Sequence, residues 1–327
     1  MKRQIGVLAM IVIFLFSVYS FCYVINKKND RISVIEKRMV AAEKRLMPVS
    51  DGYYDNNDIG AEIDVEAVQK SLVWLVTKTK FSLINWWKRG SGQEEAENIQ
   101  IGSGFVVTLP QGYPKGKYIL TLDHIVSAEQ FLVPAPPFGM PVNIAEKKIS
   151  EKTYLMHDGQ ETEIEELFNN KSDDMALYRL PDDINIPSFP YAFGVSDKLK
   201  TGNTVYLLGH PRNLADMVVR KGIVSNVKGW SYPDFFERYE NYNKIKKMFE
   251  TWAKSKPQNS FQISAGLNGG DSGCPIVAFK KEGSKKVPEL VGLAQAKMQD
   301  GMEKMGLALK IDYILGVIRN YFGLPPT

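Results

Sequence analysis

From about residue 65 to its end the chain is a succession of short apolar or alternating runs: SLVWLVT, GSGFVVTL, YILTL, TYLMH, MALYRL, TVYLLG, GIVSNV, FQIS, PIVAF, LVGLAQA and GLALKI. Gly, Pro, Asn and Asp separate them. Runs of about four to eight residues bounded by turn formers are the length of strands. In this number they predict an all-β domain, a sandwich or barrel rather than βαβ units. Two stretches break the pattern. Phe235, Tyr239, Tyr242, Ile245, Phe249 and Trp252 recur at threes and fours, which predicts an amphipathic helix inserted at about 229–260. Ile314 and Ile318, followed by Tyr321 or Phe322, predict a helix near the C-terminus.

The N-terminal region follows a different rule. Ile5 to Ile25 carries no charge and is long enough to cross a bilayer as a helix, so residues 1–26 read as a transmembrane signal anchor. A cleaved signal peptide would have a shorter apolar region and a small-residue cleavage site, and no such site is evident. Lys2 and Arg3 precede the span while Lys27, Lys28 and Arg31 follow it, so charge alone leaves its orientation open. Residues 27–64 form a polar stalk and linker. Ile32, Ile35, Met39, Ala42 and Leu46 in it suit either a short coiled-coil seam or a solvated helix.

Composition narrows the function. The net charge of +4 is small and mixed in sign, which argues against a nucleic-acid partner. Two cysteines, Cys22 and Cys274, make no disulfide framework. His124, His157 and His210 lack the short spacing of a metal motif, and no cofactor is expected.

The stretch GGDSGCPI, residues 269–276, crowds small and turn-forming residues around Ser272. It suits a tight loop, and it also suits a nucleophile if a base and an orienting acid exist elsewhere. His124 in YILTLDHIVSAE lies where a strand-like run meets the start of a helix, and Asp174 in SDDMALYRL precedes another apolar run. The order His, Asp, Ser is one of the known triad orders. In those roles His124 takes the Ser272 proton and returns it to the leaving group, while Asp174 fixes the imidazole tautomer. Backbone N–H groups of Gly270 and Ser272 could then form an oxyanion hole in a loop that bulky side chains would hinder.

The motifs IGSGFVV, YILTLDHIV, DDMALYRL, LLGHPRNL, VRKGIVS, GLNGGDSGCPIV, LVGLAQA and GLALKID stand in the order found in trypsin-like peptidases. The chain resembles that family from about residue 66 onward, and most closely its HtrA (Deg) branch. The resemblance implies a chymotrypsin-like pair of six-stranded β-barrels in residues 65–327. It further implies His124, Asp174 and Ser272 as triad, with Asp174 preferred to Asp173 by its place before the MAL step, and Gly270 and Ser272 as oxyanion donors. Gly266, Gln295, Ala296 and Gly306 would frame the primary substrate pocket. With no carboxylate among them, small or medium apolar residues should precede the cleaved bond. His157 is expected in a hairpin and His210 in a loop, neither with a catalytic role.

The sequence departs from the family at several points. Cys274 replaces a glycine, which adds bulk behind the nucleophile. Asp271 stands where the HtrA branch usually has asparagine. In the digestive enzymes that acid pairs with a freshly cut N-terminus, so Asp271 here needs another cation or solvent. No room is expected after the last helix for a PDZ domain. Family analogy further suggests a homotrimer, an extracytoplasmic peptidase domain and a regulatory role for the insertion. The resulting expectation is a membrane-anchored serine endopeptidase acting on proteins or peptides. The alternative is a catalytically inactive relative that binds a partner in the cleft between the barrels.

Overall fold

The computed structural model describes residues 53–55, 62–85, 94–127, 132–134, 141–210, 217–229, 257–300 and 303–325. The anchor, most of the stalk and most of the inserted segment lie outside these residues. No helix among the described residues is long and apolar enough to cross a membrane.

Eight strands make the first sheet: β1 (Leu72–Asn85), β2 (Glu94–Thr108), β3 (Lys117–Thr121), β4 (Leu132–Pro134), β5 (Pro141–His157), β6 (Gln160–Glu163), β7 (Glu165–Asn170) and β8 (Met175–Arg179). Their order is β4-β5-β1-β2-β3-β8-β7, with β6 on β5. β6 and β7 are nearly continuous in the chain, one pairing with β5 and the other with β8, so this bent segment closes the sheet on itself. Ile164 sits at the bend, 6% exposed, and its N–H donates to the Thr153 carbonyl at 3.1 Å. Leu75, Phe105, Ile119, Leu155 and Leu177 are fully buried in this unit's core. Each such side chain contributes about 1.5–3 kcal/mol relative to exposure.

The second sheet comprises β9 (Ala192–Phe193), β10 (Thr204–Gly209), β11 (Val218–Asn226), β12 (Ser260–Ile263), β13 (Pro275–Glu282), β14 (Lys285–Asp300) and β15 (Glu303–Lys310). β13 pairs with both β10 and β14, so the path β13-β10-β11-β12-β15-β14 closes into a barrel, and β9 lies parallel along β14. Closure removes the unpaired edges that an open sheet would present. Phe261, Ile263, Ile276 and Val291 fill its core. The two closed sheets form the chymotrypsin-like double barrel that the resemblance implied; the second closes with six strands as expected, whereas the first sheet has eight rather than six.

Three α-helices, α1 (Val65–Ser71), the four-residue α2 (Asp123–Val126) and α3 (Ile311–Tyr321), and two single-turn 3-10 helices, Ser196–Lys198 and Pro257–Asn259, complete the described structure. The Asp64 side chain caps α1 by accepting the Ala67 N–H at 2.9 Å. α3 is the expected C-terminal helix. It buries Ile311, Ile314 and Ile318 against the first core, while Tyr321 is left 46% exposed and Phe322, just past the helix, packs near Tyr118. Before α1, Tyr54 forms a bridge with Lys280, and its hydroxyl donates to Glu289 at 3.0 Å, fastening this short segment to the second barrel.

Candidate active site

β3 delivers the chain into α2, whose second residue is His124. Asp174 lies immediately before β8 and adopts a left-handed φ of 56°, a conformation that aspartate tolerates better than most residues. Its carboxylate accepts from the His124 backbone N–H at 3.0 Å and bonds the ring Nδ1 at 2.8 and 2.9 Å through its two oxygens. The neighbouring Asp173 faces elsewhere, accepting from Asn170 at 2.8 Å and from Ser172 at 3.2 Å. Of the two acids, Asp174 is therefore the one that meets the histidine. Burial pulls the His124 pKa down, but the Asp174 hydrogen bond and the charges of Asp174 and Asp123 outweigh it and raise the pKa above its ordinary value.

Ser272 follows a tight turn in which the Asp271 N–H donates to the Asn268 carbonyl at 3.1 Å. Gly270 at φ 92° and Gly273 at φ 82° give this loop backbone angles that L side chains rarely adopt. A Cβ on Gly273 would lie 2.1 Å from the Ser103 carbonyl oxygen and 3.1 Å from Ile125, the residue after His124. The serine loop is thus packed against the histidine turn. The Ser103 hydroxyl donates to the Gly270 carbonyl at 3.0 Å, which pins that peptide unit. Among the described residues the N–H groups of Gly270 and Ser272 have no acceptor. The Ser272 hydroxyl donates to the Gln295 carbonyl at 3.4 Å, a long contact that is easily exchanged.

The expected pocket residues divide. Gln295 is 5% exposed and turns its side chain to Asp174, donating Nε2 to Oδ2 at 3.2 Å. It is the extra residue of a bulge between Ala294 and Ala296 in β14, and Ala296 is 8% exposed. The Gly266 carbonyl accepts from Arg220 Nη1 at 2.7 Å. Gly306 is covered by Leu267: a Cβ at 306 would lie 2.8 Å from Leu267 Cγ.

Asp271 is fully buried and forms an ion pair with Arg220 of β11. The cation that the sequence reading required is thus an internal arginine. Sequence reasoning passed over Arg220, Ser103 and Leu267. The one available signal was an arginine inside the strand-like stretch VVRKGIVS, since a charge in a barrel wall must find a partner. Cys274 is buried, its Sγ 3.8 Å from the Gly270 carbonyl. His157 ends β5 at the hairpin to β6, and His210 follows β10, buried beside the Trp74 ring at 5.0 Å. Among the described residues no cluster of His, Cys, Asp and Glu is arranged to hold a metal ion.

The family model of the trypsin-like peptidase domain matches residues 102–284, more than half of the chain. No curated protein matches. Among solved structures, the HtrA-type protease AlgW with decapeptide aligns at 19% identity over 79% of this chain and 66% of its own, with a TM-score of 0.45. AlgW with tripeptide aligns at 19% identity over 78% of this chain and 61% of its own, with a TM-score of 0.44.

Proposed function

Because the chain belongs to the trypsin-like peptidase domain family, we propose that it is a serine endopeptidase that cleaves protein or peptide substrates through a Ser272 acyl-enzyme. One observation carries the reading. The Asp174–His124 pair is built beside a serine turn whose Gly270 and Ser272 N–H groups are left without acceptors among the described residues.

The chemistry follows from that arrangement. Asp174 accepts from Nδ1, so the neutral imidazole carries its proton there and leaves the Nε2 lone pair for the serine. For attack the Ser272 hydroxyl must exchange its long contact to the Gln295 carbonyl for that base. As Oγ attacks the scissile carbonyl, Nε2 takes its proton, and the Gly270 and Ser272 N–H groups accommodate the developing oxyanion. The imidazolium then protonates the leaving amine. Water, deprotonated by the same nitrogen, releases the acyl group and restores Ser272. A lost oxyanion donor would cost about 3–4 kcal/mol of transition-state stabilisation, which explains a loop fixed by so many backbone contacts.

The reading extends to the N-terminus. Ile5 to Ile25 anchors the protein in a membrane with the peptidase domain on the extracytoplasmic side. Protease accessibility in spheroplasts tests this, and protection of residues after Asn26 would overturn it. The activity is tested with a diphenyl phosphonate, which should add one covalent adduct at Ser272 of the folded chain and none in Ser272→Ala. A folded wild type that gives no adduct and cleaves no peptide library would reject the hydrolase.

A further inference from the structure

The reaction described above makes no use of the buried charge next to the nucleophile. Asp271 is fully buried; its Oδ2 accepts from the Asn268 N–H at 2.6 Å, and its Oδ1 meets Arg220 Nη2. The other terminal nitrogen of the same guanidinium donates to the Gly266 carbonyl at 2.7 Å. One planar side chain therefore grips both ends of the stretch from Gly266 to Asp271. That stretch contains the turn in which Gly270 takes its positive φ and which leads directly into Ser272. Arg220 stands on β11 opposite Leu207, so the cation is carried by a barrel wall rather than by a chain end. Its side chain is only 20% exposed.

Physical chemistry makes this contact more than local decoration. A buried carboxylate is tolerated only when paired, and stripping it of its partner leaves an uncompensated charge that drives the segment to rearrange toward water. Arginine suits the task because it remains charged at any working pH, and its fork can serve two acceptors at once. Asp271 is also tied into the loop on both sides, since its own N–H bonds the Asn268 carbonyl and its carbonyl accepts from the Cys274 N–H at 3.0 Å. Displacing its carboxylate must move the peptide units on either side of it.

We propose that Arg220 is a positioning residue and the built-in activating cation of this protein. By neutralising Asp271 and holding Gly266 it forms the nucleophile turn in the uncut chain, and no newly cut N-terminus is needed. The proposal rests on the serine-peptidase reading of the same site.

The test uses the full chain in detergent, with Arg220→Met, Arg220→Lys and the double variant Arg220→Met/Asp271→Asn. Two quantities are read: the rate of phosphonate labelling at Ser272, and hydrogen exchange of peptides spanning 266–276. The uncut wild type should label. Arg220→Met should label about 100-fold more slowly, as expected for a displaced oxyanion donor. Its loop amides should exchange faster while the β-barrel peptides stay protected. Arg220→Lys should recover only part of the rate, because a point charge cannot serve both acceptors. The double variant should return to within about tenfold of wild type, since asparagine keeps an acceptor for Asn268 without a buried charge.

Equal labelling and equal exchange in wild type and Arg220→Met would overturn the proposal. So would a folded double variant no faster than the single one, or labelling that begins only after the N-terminus is trimmed. If Arg220→Met does not fold, the double variant is compared with wild type: labelling within about tenfold supports the proposal, and a folded double variant about 100-fold slower than wild type overturns it. A wild type that never labels, while Arg220→Met still loosens the loop, would reject the peptidase reading and leave the Arg220 latch standing.

Discussion

Gln295 donates its side-chain Nε2 to Asp174 Oδ2 at 3.2 Å while its backbone carbonyl accepts from the Ser272 hydroxyl at 3.4 Å. A single residue of β14 therefore touches both the acid and the nucleophile of the proposed triad. The β14 bulge makes this possible, because the extra residue between Ala294 and Ala296 is released from the regular alternation of the strand. Gln295→Ala removes a hydrogen bond to a charged group worth about 1.5–3 kcal/mol, part of which water replaces. The expected result is a fall in kcat of about tenfold with KM little changed, as befits a group that orients the acid rather than binding substrate. A rise in KM at constant kcat would instead assign Gln295 to the pocket wall.

His124 sets the pH dependence. Burial alone would lower its pKa, yet Asp174 and Asp123 raise it, so the neutral base is populated only above the ordinary histidine value of about 6.5. The rising limb of kcat/KM against pH should lie above that value. In Asp174→Asn the hydrogen bond and charge of Asp174 are lost, while burial and the Asp123 charge remain. NMR titration should then place His124 below its wild-type pKa, and kcat should fall by about 10⁴-fold. The stability sign is opposite to that of activity. A raised histidine stabilises the fold fully below about pH 6.5 and loses that contribution as pH rises through its folded pKa. The stability margin of wild type over Asp174→Asn should therefore widen as pH is lowered from about 8 to about 6, and a margin that shrinks would contradict the assignment.

The parts of the fold legible in the sequence are those where burial imposes a pattern. MALYR and TVYLLG are buried almost throughout and lie within β8 and β10 as the apolar runs imply. β1, β2 and β5 run well beyond the apolar stretches LVWLV, GFVV and TYLM through polar segments, KTK in β1, EEAEN in β2 and EKKISEK in β5, which cross-strand pairing sustains, for example between Lys80 and Glu97. β6 and β7, reading QETE and EELFNN, carry little apolar signal and are defined by closing the barrel. The site divides in the same way. Ser272, His124 and Asp174 sit in short local motifs. The Arg220–Asp271 contact joins residues far apart in sequence that only the closed second barrel brings together.

Cys274 is predicted to be inert. Burial pushes its thiol up to about 12, so almost no thiolate exists at neutral pH. Iodoacetamide at pH 8 should leave Cys274 unmodified in the folded protein and modify it after unfolding in urea. Rapid alkylation of the native state would show the loop to be open. Cys274→Gly removes the sulfur that packs on Gly209, and the resulting cavity should lower stability by about 1–2 kcal/mol in a urea titration.

Leu267 is expected to limit the size of the residue accepted before the cleaved bond. It is 2% exposed and belongs to the apolar core of the second barrel. It also lies over Gly306, so the space next to that glycine is already occupied by leucine atoms. A pocket framed by Gly266, Ala296 and Gly306 is then closed from within by an apolar side chain and offers no carboxylate to a basic substrate. Small or medium apolar residues should dominate a cleavage-site profile. Leu267→Ala removes side-chain volume without adding charge, and the preference should move toward Leu, Met or Phe. The change should be about 10- to 100-fold in relative kcat/KM, the scale on which a pocket discriminates one or two methylenes. The accompanying cavity should lower stability by about 2–4 kcal/mol, so profiling is best done well below the variant's melting temperature. An unchanged profile would remove Leu267 from the pocket. A dominant Lys or Arg in the wild-type profile would reject the whole pocket assignment, because the residues that frame it would leave a buried cation unpaired.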